Sequence, residues 1–544
     1  MTEETSRWAL RLALVVPLVA AGLAACEGCR STPSGARAPS SGDEAARPTV
    51  RLYLVSDLAG ALEPCGCTRD QLGGLDHFGA WVRGSRGTAP VALVAAAGPL
   101  FFMDERLDPQ KGDQDRIKAQ TMARVLRGLD LAAFAPGVND WAAGPEALAK
   151  LAAEAGAVAL VPGAASSVRD AGGIRVGFVG YGQGAPLEPD AVAPRPPTPE
   201  DAVRRAADDA RAKGANVLVA LVAVGRGEAK RIADAVPDLT AVVVGSAKAG
   251  GDANTSAPPV ERVGDVLIVQ AANHLQSVAV LDLYVRDAAG PGKAVKFADG
   301  TGLELARRRE DLAGRIDDLH LRIAAWERDK DVPAADVDAR KRDLARLEAE
   351  RDSLDRRPAP AQGSFFRYTV QEIRESLGKD PAIESELSSY YKAVDDHNRI
   401  EFADRAPAPA APGQAGYVGI ERCSTCHAGP RRVFDGTAHA HAYAALASQF
   451  KAHNLDCVSC HVTGYERPGG STVTHVDGLT DVQCEVCHGP GSRHVQNPGE
   501  PAYIVARPDP STCLSCHHPP HVDGFDPSLK MRAILGPGHG MPAR

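Results

Sequence analysis

The sequence predicts an α/β body, then a helical hairpin, then a C-terminal module of mostly helical and irregular structure. Three observations carry this. Near-continuous apolar runs of strand length alternate with Ala-rich helical stretches up to about residue 300. A heptad seam of apolar residues follows. Eight of the 12 cysteines and 12 of the 16 histidines then crowd into residues 423–544. The chain has 544 residues and a net charge of −8, which gives no electrostatic basis for binding nucleic acid. The clustered cysteines argue against a cytosolic enzyme with scattered thiols. They also argue against a small disulfide scaffold, which has no long cysteine-free body.

Residues 1–26 read as an export leader. Arg7 and Arg11 precede an uncharged run from Leu12 to Cys26, too short to span a bilayer comfortably. The run ends Leu23-Ala24-Ala25-Cys26, which resembles the bacterial lipoprotein cleavage box. That resemblance implies lipidation of Cys26, with the protein held on the extracytoplasmic side of a membrane. Residues 27–48, rich in Ser, Ala, Pro and Gly, are expected to be a flexible tether.

The α/β body is assigned to 49–300. Its expected strands are 50–55, 91–96, 174–179, 217–224, 241–244, 266–270 and 278–285, with helices over 115–129 and 199–213. Apolar strands with little alternation require a sheet covered on both faces.

Residues 301–358 are expected to fold back as an antiparallel coiled-coil hairpin. Leu312, Ile316, Leu319, Ile323 and Trp326 form one seam, and Val337, Leu344, Leu347 and Leu354 another. Val332-Pro333 marks the turn. The hairpin is read as a spacer or a self-association surface. Residues 359–404 are expected to be a connecting strand and helix, 405–416 a Pro/Ala linker, and 417–544 the final module.

All eight late cysteines fall in one motif, Cys-x-x-Cys-His, repeated four times. The copies are Cys423, Cys426 and His427; Cys457, Cys460 and His461; Cys484, Cys487 and His488; and Cys513, Cys516 and His517. This is the c-type haem attachment sequence. Two thiols three positions apart reach the two vinyl groups of one porphyrin, and the adjacent His meets the iron. Four copies that use every local cysteine predict four covalent haems. The second axial ligand then decides the chemistry, since a bis-His iron suits electron transfer and an open iron can bind a substrate.

The module resembles the tetraheme cytochrome c family of the hydroxylamine-oxidation pathway. The matching stretches are YVGIERCSTCH, TAHAHAY, CVSCHVTGY, QCEVCHGPGSRHV and GPGHG. The resemblance implies His439, His494 and His539 as distal ligands, three bis-His haems, and one iron without a protein distal ligand, that of His461. His441, His453 and His475 are the residues that would close it.

The stretch LYLVSDLAGALEPCGCTRDQLGGLDHFGAW resembles the opening of the 5′-nucleotidase branch of the metallophosphoesterases. It implies an α/β/β/α sandwich with its metal ligands at the strand ends. The family's ligand positions fall at Asp57, Ala59, Pro99, Val138, Asn139, Ala223, Ser246 and Lys248, so only Asp57 survives as a ligand. One carboxylate does not assemble a two-metal site, and phosphoesterase activity is not expected. Cys65 and Cys67 read as a structural or redox-labile pair.

The expectation is therefore a lipid-tethered, extracytoplasmic electron carrier with four haems, serving a donor and an acceptor protein, with the body as scaffold or docking module. Two alternatives remain open at this level. One is a multihaem redox enzyme acting on a small nitrogen compound at an open iron. The other is a nucleotide- or partner-binding module with redox-sensing haems.

Overall fold

The computed structural model describes residues 47–542, apart from 65–70, 163–165, 186–196, 249–250, 252, 288–289, 329–331, 355–359, 361, 519–520 and 523. The leader, Cys26, Cys29, most of the tether and the Cys65/Cys67 pair lie outside the described residues.

Strands β1 (Val50–Ser56), β2 (Ala92–Ala97), β3 (Leu131–Ala135) and β4 (Val158–Ala159) run parallel in one sheet. Strands β5 (Ser167–Ala171), β6 (Ile174–Tyr181), β7 (Val217–Ala223), β8 (Ala241–Gly245), β9 (Glu261–Val263) and β10 (Val266–Val269) make a second sheet, in the order β5-β6-β7-β8-β10-β9. Strands β11 (Ser277–Tyr284), β12 (Ala298–Asp299) and β13 (Phe365–Glu372) complete the first, in the order β12-β13-β11-β1-β2-β3-β4.

The two sheets pack face to face. Leu52 and Leu54 of β1 and Ala95 of β2 meet Val219, Leu221 and Val243 from the second sheet. Alternate residues point the other way, and Tyr53 and Val55 pack under helices α1 (Leu75–Ser85), α2 (Gly112–Gly128) and α3 (Pro145–Ala155). Helices α4 (Pro199–Ala212) and α5 (Arg226–Ala235) cover the second sheet through Val203, Ala207 and Ile232. The result is an α/β/β/α arrangement. It explains the continuous apolar strands, because both faces of each sheet are dry and each buried Val or Leu contributes about 1.5–3 kcal/mol.

Helices α6 (Leu303–Trp326) and α7 (Ala334–Ser353) pack through Leu312, Ile316, Leu319 and Ile323 against Val337 and Leu347. Ion pairs Arg308–Glu350 at 2.5 Å and Lys341–Glu327 at 2.7 Å match opposite ends and run the helices antiparallel.

The strand and helix expected within 359–404 are present, and both pack on the body. Strand β13 lies on β11 through eight residue pairs, from Ser277 opposite Glu372 to Tyr284 opposite Phe365. Helix α8 (Pro381–Glu401) then packs on the outer layer of the body. Asp380 caps it by accepting from the backbone N–H groups of Ala382 (2.9 Å) and Ile383 (3.2 Å), with Pro381 in its first turn. Ile383, Leu387, Tyr390 and Val394 form its buried stripe. The body is therefore closed by chain that returns after the hairpin, and the hairpin is an excursion between β12 and β13. Residues Arg47–Arg544 form one compact unit.

Candidate haem centre

Each motif sits on a short helical turn: Ile420–Ser424, Val458–His461, Cys484–His488 and the 3-10 turn Pro510–Ser515. One helical turn brings positions three and four apart onto one face, so the two thiols and the His project together. Backbone bonds close the turn at the first and last motifs. His427 N–H donates to the Cys423 carbonyl at 2.9 Å, and His517 N–H to the Cys513 carbonyl at 2.9 Å.

The imidazoles are oriented from behind. Nδ1 of His461 meets the Ala442 carbonyl at 2.6 Å, and Nδ1 of His488 meets the Val505 carbonyl at 2.7 Å. Nδ1 of His539 meets the Ile534 carbonyl at 3.0 Å. A carbonyl there fixes the N–H on Nδ1 and leaves the Nε2 lone pair for a metal.

Three motif histidines each face a second imidazole. The ring centres of His427 and His494 are 6.2 Å apart, those of His439 and His517 6.2 Å, and those of His488 and His539 6.3 Å. Two imidazoles on opposite faces of one iron stand about 6.2 Å apart, from a metal–nitrogen bond of about 2 Å and about 1.1 Å from nitrogen to ring centre. Nδ1 of His494 is buried without a hydrogen-bond partner, as a nitrogen aimed at a metal would be. Burial, with His517 and His461 nearby, lowers the His439 pKa, and burial lowers that of His517, so both hold an available lone pair. The residues present fit bis-His haem at these three sites.

The second motif differs. Among the described residues no histidine ring is paired with His461 in this way. His453 Nδ1 bonds the Asp395 carboxylate at 2.8 Å, His475 Nδ1 meets the Thr474 hydroxyl at 3.0 Å, and His441 is exposed. None of these three lines the space in front of His461, whereas His521 does.

The motifs also adjoin one another. The thiol of Cys423 is hydrogen-bonded to that of Cys484, and the thiol of Cys516 to that of Cys460. Cys487 interacts with both Cys513 and Cys516. The attachment sites thus form a chain of neighbours in the order first, third, fourth, second.

Sequence reasoning missed the polar residues that hold this arrangement. Glu485, inside the third motif, is buried and accepts from the backbone N–H groups of Val418 (3.0 Å), Gly419 (2.8 Å) and Gly491 (2.7 Å). Asp456, just before Cys457, anchors the second motif to the body. It pairs with Lys111 at 2.6 Å and Lys118 at 2.7 Å, and accepts from Gln114 at 3.2 Å, all beside or on α2. Despite the burial that opposes it, the two lysines hold this carboxyl well below its usual range. Asn398 on α8 donates to Gln114 at 3.0 Å and to the His453 carbonyl at 2.8 Å. A charged residue beside a motif was visible in the sequence, but its partners more than 300 residues away were not.

In the α/β body, Ser246 donates to Asp57 from its backbone N–H at 2.7 Å and from its hydroxyl at 2.9 Å. Burial raises the Asp57 pKa to about 6 against those two bonds. Asp140 is fully buried and accepts from the N–H groups of Leu100 (2.9 Å), Phe101 (2.7 Å) and Gly137 (3.0 Å); burial raises it to about 7. Asn139 donates to the Met103 carbonyl. These polar groups hold loops together.

Residues 422–489 match the cytochrome c554 and c-prime family. Cytochrome c-554 of Nitrosomonas europaea is 36% identical over 93 residues, covering 14% of this chain and 40% of that protein. The chain thus spans about two fifths of the curated relative it matches. Among solved structures, a 5′-nucleotidase precursor from Thermus thermophilus is similar at a TM-score of 0.40 and 17% identity, over 66% of this chain and 61% of that one. The calcineurin-like phosphoesterase YfkN of Bacillus subtilis is similar at 0.35 and 15%, over 44% of this chain and 86% of that one. Residues 422–489 are thus similar to a c-type cytochrome family.

Proposed function

We propose that the protein is an extracytoplasmic, lipid-anchored electron carrier with four covalent haems, docked on an α/β body that no longer holds a metal centre. The observation that carries this is the set of three His–His pairs at 6.2–6.3 Å, each containing the histidine of a Cys-x-x-Cys-His motif. A haem so bound supplies reversible one-electron chemistry at iron, without an open position for substrate. The chain's own residues do the rest. Cysteine pairs fix each group covalently, His427, His461, His488 and His517 hold the proximal side, and His439, His494 and His539 hold the distal side of three. The neighbouring thiols support close spacing along the series, with the first and second motifs at its ends.

Lipid attachment at Cys26 and a donor and an acceptor protein complete the reading. Among the described residues no helix is long and apolar enough to cross a membrane. A pyridine haemochrome count with intact mass, followed by magnetic spectroscopy of the ferric protein, tests it. Four haems and three low-spin bis-His irons are expected. Fewer than four haems, or a majority of high-spin irons, would refute it.

A further inference from the structure

Strands β1 to β4 run parallel, so the loops that follow Asp57 and Ala97 lie at one end of their sheet and the starts of β2 and β3 at the other. The first end meets the haem module. At the second end a cavity of about 560 Å³ opens, floored by Val91, Ala92, Leu93 and Leu131.

Three arginines reach this cavity from three separate segments. Arg86 comes from the 3-10 turn Arg86–Thr88, Arg127 from the last turn of α2, and Arg169 from β5 of the second sheet. Asp130 is the one acidic residue that lines it among the described residues, so the lining carries a net charge of +2. Two of the arginines are fixed. Arg86 pairs with Asp130 at 2.6 Å. Nη2 of Arg169 donates to the Gly156 carbonyl at 3.1 Å and to the Ala132 carbonyl at 3.4 Å. Carbonyls orient the Arg169 guanidinium but leave its charge uncompensated. Arg127 has neither an ion pair nor a side-chain hydrogen bond among the described residues. A single cation at the end of α2 complements the helix dipole, but that does not account for three cations converging on one apolar floor. Like charges gathered there repel one another, and a bound anion relieves the repulsion.

The charge balance sets the ligand class. A net charge of +2 matches a dianion, and guanidinium groups hold the oxygens of phosphate or carboxylate in pairs. The apolar floor favours a ligand with a hydrocarbon part over a bare inorganic ion.

We propose that this cavity binds a small organic dianion, with its charged groups among Arg86, Arg127 and Arg169 and its hydrocarbon part on Val91 and Leu93. Phosphate monoesters and dicarboxylates share that chemistry. The site stands apart from the haems and does not depend on their assignment.

The test is titration calorimetry of the full-length holoprotein in low salt at mildly alkaline pH, with phenyl phosphate and phthalate as the two probes. Saturable binding of at least one is expected, and the one that binds identifies the source. Benzyl alcohol, which keeps the ring without the charge, should not bind. Arg127→Met and Arg169→Met should each weaken binding about tenfold or more. Asp130→Asn should tighten it severalfold, because it frees Arg86, and Asn tolerates the φ of +61° at that position. Added salt should weaken it. Thermal melts followed by circular dichroism establish that each variant is folded. No binding of either probe, equal binding of benzyl alcohol, or an affinity indifferent to both arginine variants would overturn the proposal. Weakening by Asp130→Asn would overturn it too. So would capture of phosphatidic acid vesicles through these arginines with neither soluble probe bound, which would assign the surface to a membrane instead.

Discussion

Asp456→Asn removes the negative centre that joins the haem module to the body. Asp456 touches Lys111 at 2.6 Å, Lys118 at 2.7 Å and Gln114 at 3.2 Å. The side chains of Lys111 and Lys118 are 27% and 19% exposed, so the cluster is largely dry, though water reaches its edge. Breaking a fully buried pair costs about 3–5 kcal/mol and an exposed one under about 1, so a loss of about 2–3 kcal/mol follows. Guanidinium unfolding of the holoprotein, followed by circular dichroism, measures it. A cycle with Lys118→Met should give a coupling of at least about 1 kcal/mol. The pH dependence has a definite sign. The folded carboxyl lies below its ordinary value of 3.8, so its stabilisation is present above that value and is lost as pH falls through and below it. Lys118 is held above its ordinary 10.5, so its part is full at neutral pH and fails only in strong alkali. The gap between wild type and Asp456→Asn should hold from about pH 5 to 8 and close below about pH 4. A variant within about 0.5 kcal/mol of wild type, or a coupling near zero, would refute the anchoring role.

Three further outcomes are expected. His439→Ala, His494→Ala and His539→Ala should each convert one low-spin iron in four to high spin, read by magnetic circular dichroism, and retain all four haems. Asp140, raised from 3.8 to about 7, holds its proton in the fold when the unfolded chain has lost it. Stability should therefore fall as pH rises from about 4 to 7, by up to about 1.4 kcal/mol per unit, and Asp140→Asn should flatten that slope in denaturation curves. Leu312→Ala empties a fully buried position in the hairpin seam. It should cost the hairpin about 2–4 kcal/mol, seen as faster hydrogen exchange over 303–353, with the haem spectra unchanged.

Strands 217–224, 241–244 and 278–285 were legible because burial on both faces writes them as apolar runs. The hairpin was legible because its seam repeats at helical spacing. Strand β3 escaped, since Leu131–Ala135 follows a helix with only Asp130, at φ +61°, to mark the turn. The place of β13 in the main sheet escaped for a different reason. Its partner β11 lies across the hairpin, and the sequence holds no local sign of a pairing that long. At the centre, the motif cysteines and histidines follow from spacing alone. The histidines proposed as distal ligands came from resemblance, because a ligand is chosen by where a loop returns. Asp456, Gln114 and Asn398 had no local signal at all, since each matters only through partners elsewhere in the chain.

The Asp140 loop has a physical reason to keep its shape. Asp140 collects three backbone donors, and without it those N–H groups would be buried and unpaired, at about 1–3 kcal/mol each. The loop it holds lines the same cavity as His461. Asp57 makes the contrast, because its carboxylate accepts from the backbone N–H and the hydroxyl of Ser246. Asp57→Asn keeps one acceptor for Ser246 and leaves the backbone bonds of Leu100, Phe101 and Met103 intact. The two carboxylates should thus separate cleanly, with Asp140 variants disturbing the His461 haem and Asp57→Asn leaving it as it is.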